Sequence, residues 1–199
     1  MALERSRWSS ESGFSLVEVL ASIAILSVAL ISLAQLFAIS TSSNRLARTN
    51  TYAALLAQQK MEQLRGLTWG YDTLGLPISD FTTDTSVPPP VEGCPAPVSS
   101  GIGTGLSPSP YGTLAANVTG WVDYVDGNGC VLGGGSVPPE GTVYIRRWSV
   151  EPVPTNPNNT LVLQVLVTTR FQRGEADAGR VARMNDEARL VSVKTRKTK

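Results

Sequence analysis

Three residues near the N-terminus, Gly13, Phe14 and Glu18, could take part in chemistry because of where they stand in the sequence. Residues 14–39 read FSLVEVLASIAILSVALISLAQLFAI and contain no Gly, no Pro and a single charge, on Glu18. A carboxylate in an apolar stretch is costly unless it finds a partner, so it indicates a functional residue. The alternative is an acid that snorkels to the level of the lipid headgroups.

A protease that cuts between Gly13 and Phe14 would create a partner for Glu18. The polar residues 1–13 end there and the apolar residues begin. Cleavage would leave a free α-amino group on Phe14, separated from Glu18 by about 6 Å of helix rise. The amine and the carboxylate could then satisfy each other, within one chain or between neighbouring chains.

Other kinds of site find little support. The chain contains no histidine and only two cysteines, which excludes histidine-dependent triads and zinc sites. An anchored hydrolase would need a Ser–Lys pair, and none stands out. The segment 123–129, DYVDGNG, superficially resembles a calcium loop, but its acidic spacing is wrong, so we interpret it as a glycine-rich turn. We therefore expect no enzyme, no cofactor and no metal.

The charge balance gives no reason to expect a nucleic-acid partner. Seventeen Lys and Arg residues stand against sixteen Asp and Glu residues, for a formal charge of +1, so there is no strong field to recruit an acidic polymer. Basic residues do end the chain, at Lys194, Arg196, Lys197 and Lys199. We interpret them as a solvated tail, with an anionic partner as the alternative.

The apolar stretch 14–39 predicts a membrane span. As a helix it would be about 39 Å long, enough to cross a hydrocarbon layer of about 30 Å. A secretory signal has a shorter apolar region of about 7–15 residues, although Ser40 and Ser42 could mimic its cleavage site. Two arginines stand on each side of the stretch, so the positive-inside rule gives no orientation.

Residues 40–66 predict that the same helix continues as an amphipathic segment. Apolar and long side chains recur there mostly at spacings of three, four and seven, which places them on one stripe. Gly66 is a natural helix stop. The stripe consists of Leu46, Ala53, Leu56, Lys60 and Leu64.

Residues 67–199 predict a β-rich domain. The segment 67–112 is rich in Gly, Pro, Ser and Thr, which indicates a long irregular excursion. Four later segments are rich in β-branched and aromatic residues: 116–125, 142–150, 160–171 and 189–195. No helical pattern between them is long enough for parallel crossovers, so we expect an antiparallel sheet of about four strands covered by the amphipathic helix. The predicted fold class is α+β.

The residues GFSLVEVLASIAIL resemble the prepilin signature of type IV pilins and type II secretion pseudopilins. In that signature a Gly precedes the cut, an aromatic residue begins the mature chain, and a Glu stands at its fifth position. The resemblance implies that Gly13 is the residue after which the leader is cleaved. It implies that Phe14 becomes an N-methylated terminus and that Glu18 pairs with the N-terminus of a neighbouring subunit. Two acids, Glu4 and Glu11, dilute the basic character that is usual in the leader.

The segment VLASIAILSVALISLAQL is most similar to the PilV group of minor pilins and the GspI group of pseudopilins. Major pilins typically carry a helix-bending Pro where this chain has Gln35. The resemblance implies a pilin-like fold and a minor pilin of a type IV pilus. It also implies a single pass through the bacterial inner membrane, with a cytoplasmic N-terminus and a periplasmic head, before entry into a surface filament.

The partners implied by the resemblance are other major and minor pilins, a prepilin peptidase and methyltransferase, a pilus assembly platform and, before assembly, inner-membrane lipid. One alternative is a minor pseudopilin of type II secretion. The other belongs to a different class, an anchored periplasmic binding domain that never polymerises, in which Glu18 only snorkels.

Cys94 and Cys130 could form one disulfide in an oxidising periplasm. Both lie in the loop-rich region of the predicted head. Closing a loop of that size is worth roughly 3–4 kcal/mol in the chain-entropy model. We expect a structural bond rather than a redox or metal site.

Overall fold

The computed structural model describes residues 13–88, 92–99, 101–170 and 187–196. Among these residues a single helix, α1 (Leu16–Gly66), precedes the strands. The strands are β1 (Trp69–Tyr71), β2 (Pro77–Ser79), β3 (Val122–Val125), β4 (Val131–Gly134), β5 (Tyr144–Pro152), β6 (Thr160–Thr169) and β7 (Ala188–Thr195). The predicted α+β class is confirmed, whereas the predicted leader lies outside the described residues except for Gly13.

The chain divides into two compact units, Met1–Arg45 and Leu46–Lys199. The helix in the first unit is long and apolar enough to cross a membrane, with a mean hydropathy of 2.5 over its most apolar 18 residues, none of them buried. The hydroxyls of Ser22, Ser27 and Ser32 donate to carbonyl oxygens four residues earlier, at 2.7, 2.7 and 2.9 Å. These serines therefore place no unsatisfied donor in an apolar environment.

In the second unit, α1 buries one face against the main sheet. The buried helical residues are Ala53, Leu56, Ala57, Lys60, Met61 and Leu64. Four members of the predicted stripe are among them, but Leu46 is 39% exposed and does not belong to the packed face. The helix ends at Gly66, as predicted.

The main sheet is antiparallel throughout and has the strand order β4-β3-β5-β6-β7. Along β6, burial alternates from Thr160 to Val165, as its sequence predicts, whereas Leu166 and Thr168 on the other face are also buried. Leu161, Leu163, Val165 and Val167 are buried in the same cluster as the packed face of α1. The antiparallel prediction is confirmed.

The structure differs from the predicted sheet in several places. The main sheet has five strands rather than four, because β4 is four residues long and half glycine and so carries little strand signal. The predicted strand 116–125 is extended only from Val122, although Trp121 before it is buried in the core. The last residue of predicted strand 160–171 lies outside the described residues.

The excursion 67–112 is also more regular than predicted. It begins with a two-stranded antiparallel hairpin of β1 and β2. The Asp72 carboxylate closes the turn by accepting from the amides of Leu74 and Leu76, at 2.9 and 2.7 Å. The Asp72 side chain in the turn, rather than an alternation of apolar and polar residues, therefore determines this hairpin.

Farther along the excursion, Asp80 organises a second turn. Burial opposes ionisation of its carboxyl, but hydrogen bonds from the Thr83 hydroxyl and the Thr83 and Thr82 amides outweigh burial and hold the pKa of Asp80 below its usual value. The backbone of Gly105 has φ +50°, and a Cβ there would lie 2.5 Å from the Asp80 carbonyl oxygen. Glycine is required at 105 for this close approach.

A buried charge network joins α1 to the sheet. Asp123 on β3 accepts from Lys60 Nζ at 2.6 Å and from two nitrogens of Arg146, each at 2.8 Å. All three side chains are at most 1% exposed. Arg146 also donates to the Leu56 carbonyl at 3.1 Å and to Gln59 at 3.2 Å. Both cations are therefore tied to the helix, Lys60 as one of its residues and Arg146 through these hydrogen bonds.

Burial opposes the charge on Lys60. Its ammonium donates to the Thr85 carbonyl at 2.5 Å and lies 4.2 Å from the ring centre of Trp148. Burial lowers the pKa of Lys60 to about 8, against the opposing pull of Asp123. For Asp123 the balance is reversed, because burial raises its pKa and the two cations lower it by more. The helical spacing predicts Lys60 on the buried stripe but gives no indication of its partner.

The expectation of a solvated basic tail is wrong for Lys194 and Arg196. Lys194 Nζ donates to the carbonyls of Leu64 and Arg65 in the last turn of α1 and to the carbonyl of Leu67 just beyond it; carbonyls at a helix end have no partner within the helix. Arg196 lies over the Trp69 ring at 3.8 Å and donates to carbonyls of the β1–β2 hairpin. Lys197 and Lys199 lie outside the described residues.

The charge network predicts very different effects for two substitutions. Asp123→Asn leaves Lys60 and Arg146 buried without an anion and should cost about 3–5 kcal/mol of unfolding free energy. Lys60→Met keeps a side chain of similar length and leaves the Asp123–Arg146 pair intact. Its loss of unfolding free energy should therefore be much smaller. Urea unfolding in detergent, followed by Trp fluorescence, measures both. Equal losses would contradict this account of the network.

Lys194 should stabilise the C-terminal end of α1. Lys194→Met removes its charged hydrogen bonds to the helix carbonyls and should lower the unfolding free energy by about 1–3 kcal/mol. Arg65→Met is the matched control, because Arg65 is 55% exposed and forms only a 3.7 Å surface pair with Glu62. Such pairs contribute about 0–1 kcal/mol. A Lys194→Met protein as stable as the control would show that the contact is incidental.

Candidate processing and assembly site

The predicted cleavage point lies where the chain enters α1. Gly13, Phe14 and Ser15 precede the first helical residue, Leu16. The Ser15 carbonyl accepts the first helical hydrogen bonds, from the amides of Glu18 and Val19 at 3.0 and 3.1 Å. The bond between Gly13 and Phe14 is thus outside the helical hydrogen-bond ladder, and the Phe14 side chain is 83% exposed.

The fold does not explain why residue 13 is a glycine. A Cβ built on Gly13 would meet nothing within 4 Å. Among the described residues, close packing therefore does not require glycine at this position.

Glu18 occupies the third position of α1, and its side chain is exposed. With Ser15 before the helix it has the Ser-x-x-Glu spacing of a capping box, in which the acid can satisfy a free amide at the helix start. A carboxylate in the first turn also interacts favourably with the helix dipole. The sequence predictions above did not consider helix capping, which the Ser15–Glu18 spacing adds as an alternative role for this acid.

The helix beyond Glu18 presents apolar side chains on all sides. From Phe14 to Ile39 its large apolar residues are between 46% and 83% exposed. A helix that is apolar all round is covered either by lipid or by other helices. The predicted site therefore consists of a cleavable junction, one acid and a large uncovered apolar surface.

The two cysteines belong to the second unit. Cys94 and Cys130 are bonded to each other, with their Cα atoms 5.4 Å apart. Among the described residues, no group of three or more His, Cys, Asp or Glu side chains could hold a metal ion. The disulfide lies within the second unit, where Cys130 directly precedes β4.

Comparison with known protein families bears on the N-terminal segment. Residues 8–34 match the family model described as the prokaryotic N-terminal methylation motif. The chain carries this motif. It contains Gly13, Phe14 and Glu18, and it indicates a type IV pilin-like protein. No curated protein and no solved structure matches the chain.

The motif has direct consequences for processing. It implies cleavage by a prepilin peptidase and assembly with other pilins, and together with the apolar helix it is consistent with inner-membrane anchoring. It suggests a structural protein. The motif is shared by pilins and pseudopilins, so it leaves the PilV or GspI subgroup open.

Proposed function

We propose that the protein is a minor pilin of a type IV pilus. In this proposal it is cleaved after Gly13, methylated on the amine of Phe14, and held in the inner membrane until it enters or primes a filament. The main support is that α1 and the exposed apolar surface both begin within the segment that matches the methylation motif. The unexplained glycine at 13 adds support, because a peptidase that needs a small residue would account for it.

Assembly follows from the need to cover the apolar helix. In the membrane, lipid covers residues 14–39. When the subunit leaves the membrane, that surface would meet water unless similar helices pack around it. A bundle of such segments from other pilins provides the cover, and the small Ala and Ser residues among the large ones allow close helix approach.

Glu18 sets the pairing within that bundle. Its carboxylate would be desolvated once neighbouring helices surround it, and it then needs a cation. The only new cation that processing creates is the amine of Phe14. A subunit that contributes both groups can pair its Glu18 with the terminus of a neighbour, which fixes how far one helix is shifted along the next.

Two features favour a minor pilus subunit over its alternatives. Gln35 stands where major pilins carry proline, and the long excursion 67–112 exceeds what the usually shorter secretion pseudopilins carry. A chain that only anchors a periplasmic binding domain would have no use for cleavage at Gly13. Deleting the gene, imaging pili and assaying protein secretion distinguishes the pilus subunit from the pseudopilin.

The mature protein should begin at Phe14 with one added methyl group. Intact mass of the protein extracted from membranes of cells with active prepilin peptidase measures this directly. Gly13→Val is the matched variant, because the site has room for a side chain and the change should leave the fold intact while the leader is retained. A native chain that keeps residues 1–13, or one cut near Ser42, would contradict the proposal.

Glu18 should act through its charge in assembly rather than as a helix cap. Glu18→Gln preserves the capping-box acceptor, since Gln also serves at that position, whereas Glu18→Ala removes it. Both should lose entry into filaments strongly, because an unpaired buried charge costs on the order of 3–5 kcal/mol. Leader cleavage and protease resistance of the head should persist. Ser27→Ala, which loses only a hydrogen bond to Ile23, serves as control.

The two Glu18 variants separate the competing roles in co-purification and filament imaging. Normal entry of the Gln variant alone would assign Glu18 to helix capping. Normal entry of both variants would make Glu18 a snorkelling residue and would favour the anchored, non-polymerising domain.

A further inference from the structure

Gln35 is a polar residue of the apolar helix whose side chain finds no partner within the described part of the chain. Between residues 19 and 39 the other polar side chains are three serines, and their hydroxyls donate to carbonyls one turn earlier in α1. The Gln35 side chain is exposed and makes no hydrogen bond to another described residue. It ends in an amide with two donors and an acceptor. Covered by apolar groups alone, that amide would cost free energy that a leucine would not.

Gln35 lies near one end of the apolar stretch, as Glu18 lies near the other. Four residues separate Glu18 from Phe14, and four separate Gln35 from Ile39, so each lies about 6 Å of helix rise inside its end. In a bilayer both side chains can reach the level of the headgroups. A bundle of helices contains no headgroups, so there the amide, like the carboxylate, needs a partner from protein.

The face of α1 around Gln35 is suited to close contact with another helix. In chain order, Ala24, Val28, Ile31, Gln35 and Ala38 are spaced four, three, four and three residues apart. These spacings place all five on one side of the helix, as in a packed helix seam. The small alanines let two backbones approach closely. A single polar residue within such a seam fixes the position of one helix along the next.

We propose that Gln35 is a contact residue for the helix of another pilin and that its amide is hydrogen-bonded to a hydroxyl or amide side chain of that helix. The inference rests on the proposed function, because the neighbouring helices are those of the pilins with which the methylation motif implies assembly. It adds a second polar contact to the proposed pairing of Glu18, at the opposite end of the apolar stretch.

The proposed Glu18 pairing sets the level at which this partner lies. When Glu18 is level with the first residue of a neighbour, the neighbour is shifted by four residues, about 6 Å. Gln35, residue 22 of the proposed mature chain, is then level with residue 18 of the neighbour. In this chain that position is Ile31, and Ser32 follows it. The Ser32 hydroxyl donates within its own helix, but its oxygen can still accept. A neighbour with the same plan therefore offers a partner.

Entry of Gln35 variants into filaments tests the proposal. The measured quantity is the ratio of protein in sheared filaments to protein in the inner membrane, in cells that carry the other pilins. Gln35→Leu should lower this ratio about threefold to tenfold, in line with the strength of single hydrogen bonds between membrane helices. Gln35→Asn keeps the amide on a shorter side chain and should lower the ratio less. Ser27→Ala, which loses only a bond within its own helix, is the control and should leave the ratio unchanged.

Three other results would contradict the proposal. A Gln35→Leu ratio equal to or above that of the unchanged protein would show that the amide has no partner in the filament. Loss from the membrane and the filaments in equal proportion would assign the amide to the lipid headgroups. Absence of the unchanged protein from filaments is a separate outcome, because it would contradict the proposed function and this inference with it.

Photo-crosslinking from position 35 locates the partner. Gln35→photo-leucine carries a diazirine on a side chain of moderate size, and the chains that still enter filaments should link to another pilin when irradiated. Mass spectrometry of the linked peptides should place the bond within about one helical turn of residue 18 of that mature pilin. Links that lie only at other levels, or only to lipid, would overturn the assigned contact.

Discussion

The apolar surface of residues 14–39 needs a cover that the described residues of this chain do not provide. None of the most apolar 18 residues is buried, and the large side chains point in every direction around the helix. In water such a surface is strongly unfavourable, so the segment belongs in lipid or among other helices. The proposed leader, the proposed cut and Glu18 all lie where the polar chain meets this apolar helix, so the proposal ties each of them to that requirement.

The second half of the same helix serves a different purpose, because it supplies one side of the core of the head. Its buried face includes Lys60, whose ammonium can be accommodated only where Asp123 and the Thr85 carbonyl meet it. We interpret this network as a device that fixes the register of α1 on the sheet, because a shift of one turn would bury the ammonium without its partners. Apolar packing alone tolerates such shifts more easily. Lys194 on β7 also holds α1 against the sheet, since it binds the Leu64 and Arg65 carbonyls in the last turn of the helix.

The sequence predicts those elements of the structure that depend on local pattern. The helix follows from its composition and its stop at Gly66, and β6 follows from its alternation. The strand β4 was missed because four residues with two glycines show no pattern. Asp123 was interpreted as belonging to a turn, and Lys194 as belonging to a tail, because their partners lie 63 residues away at Lys60 and about 130 residues away at Leu64. A periodic pattern in the sequence gives no information about contacts between residues so far apart in the chain.

The processing site, by contrast, can be predicted from the sequence because its residues are close together in the chain. Gly13, Phe14 and Glu18 lie within six consecutive residues, so their relation is visible without the fold. The structure contributes what the sequence lacks: the fold makes no demand for glycine at 13, and it leaves the carboxylate of Glu18 exposed. At Gly105 or Gly133 the identity of the residue is set by a neighbouring backbone within the same chain. At Gly13 the described residues supply no such neighbour, and the proposed cleavage by a peptidase would account for the glycine.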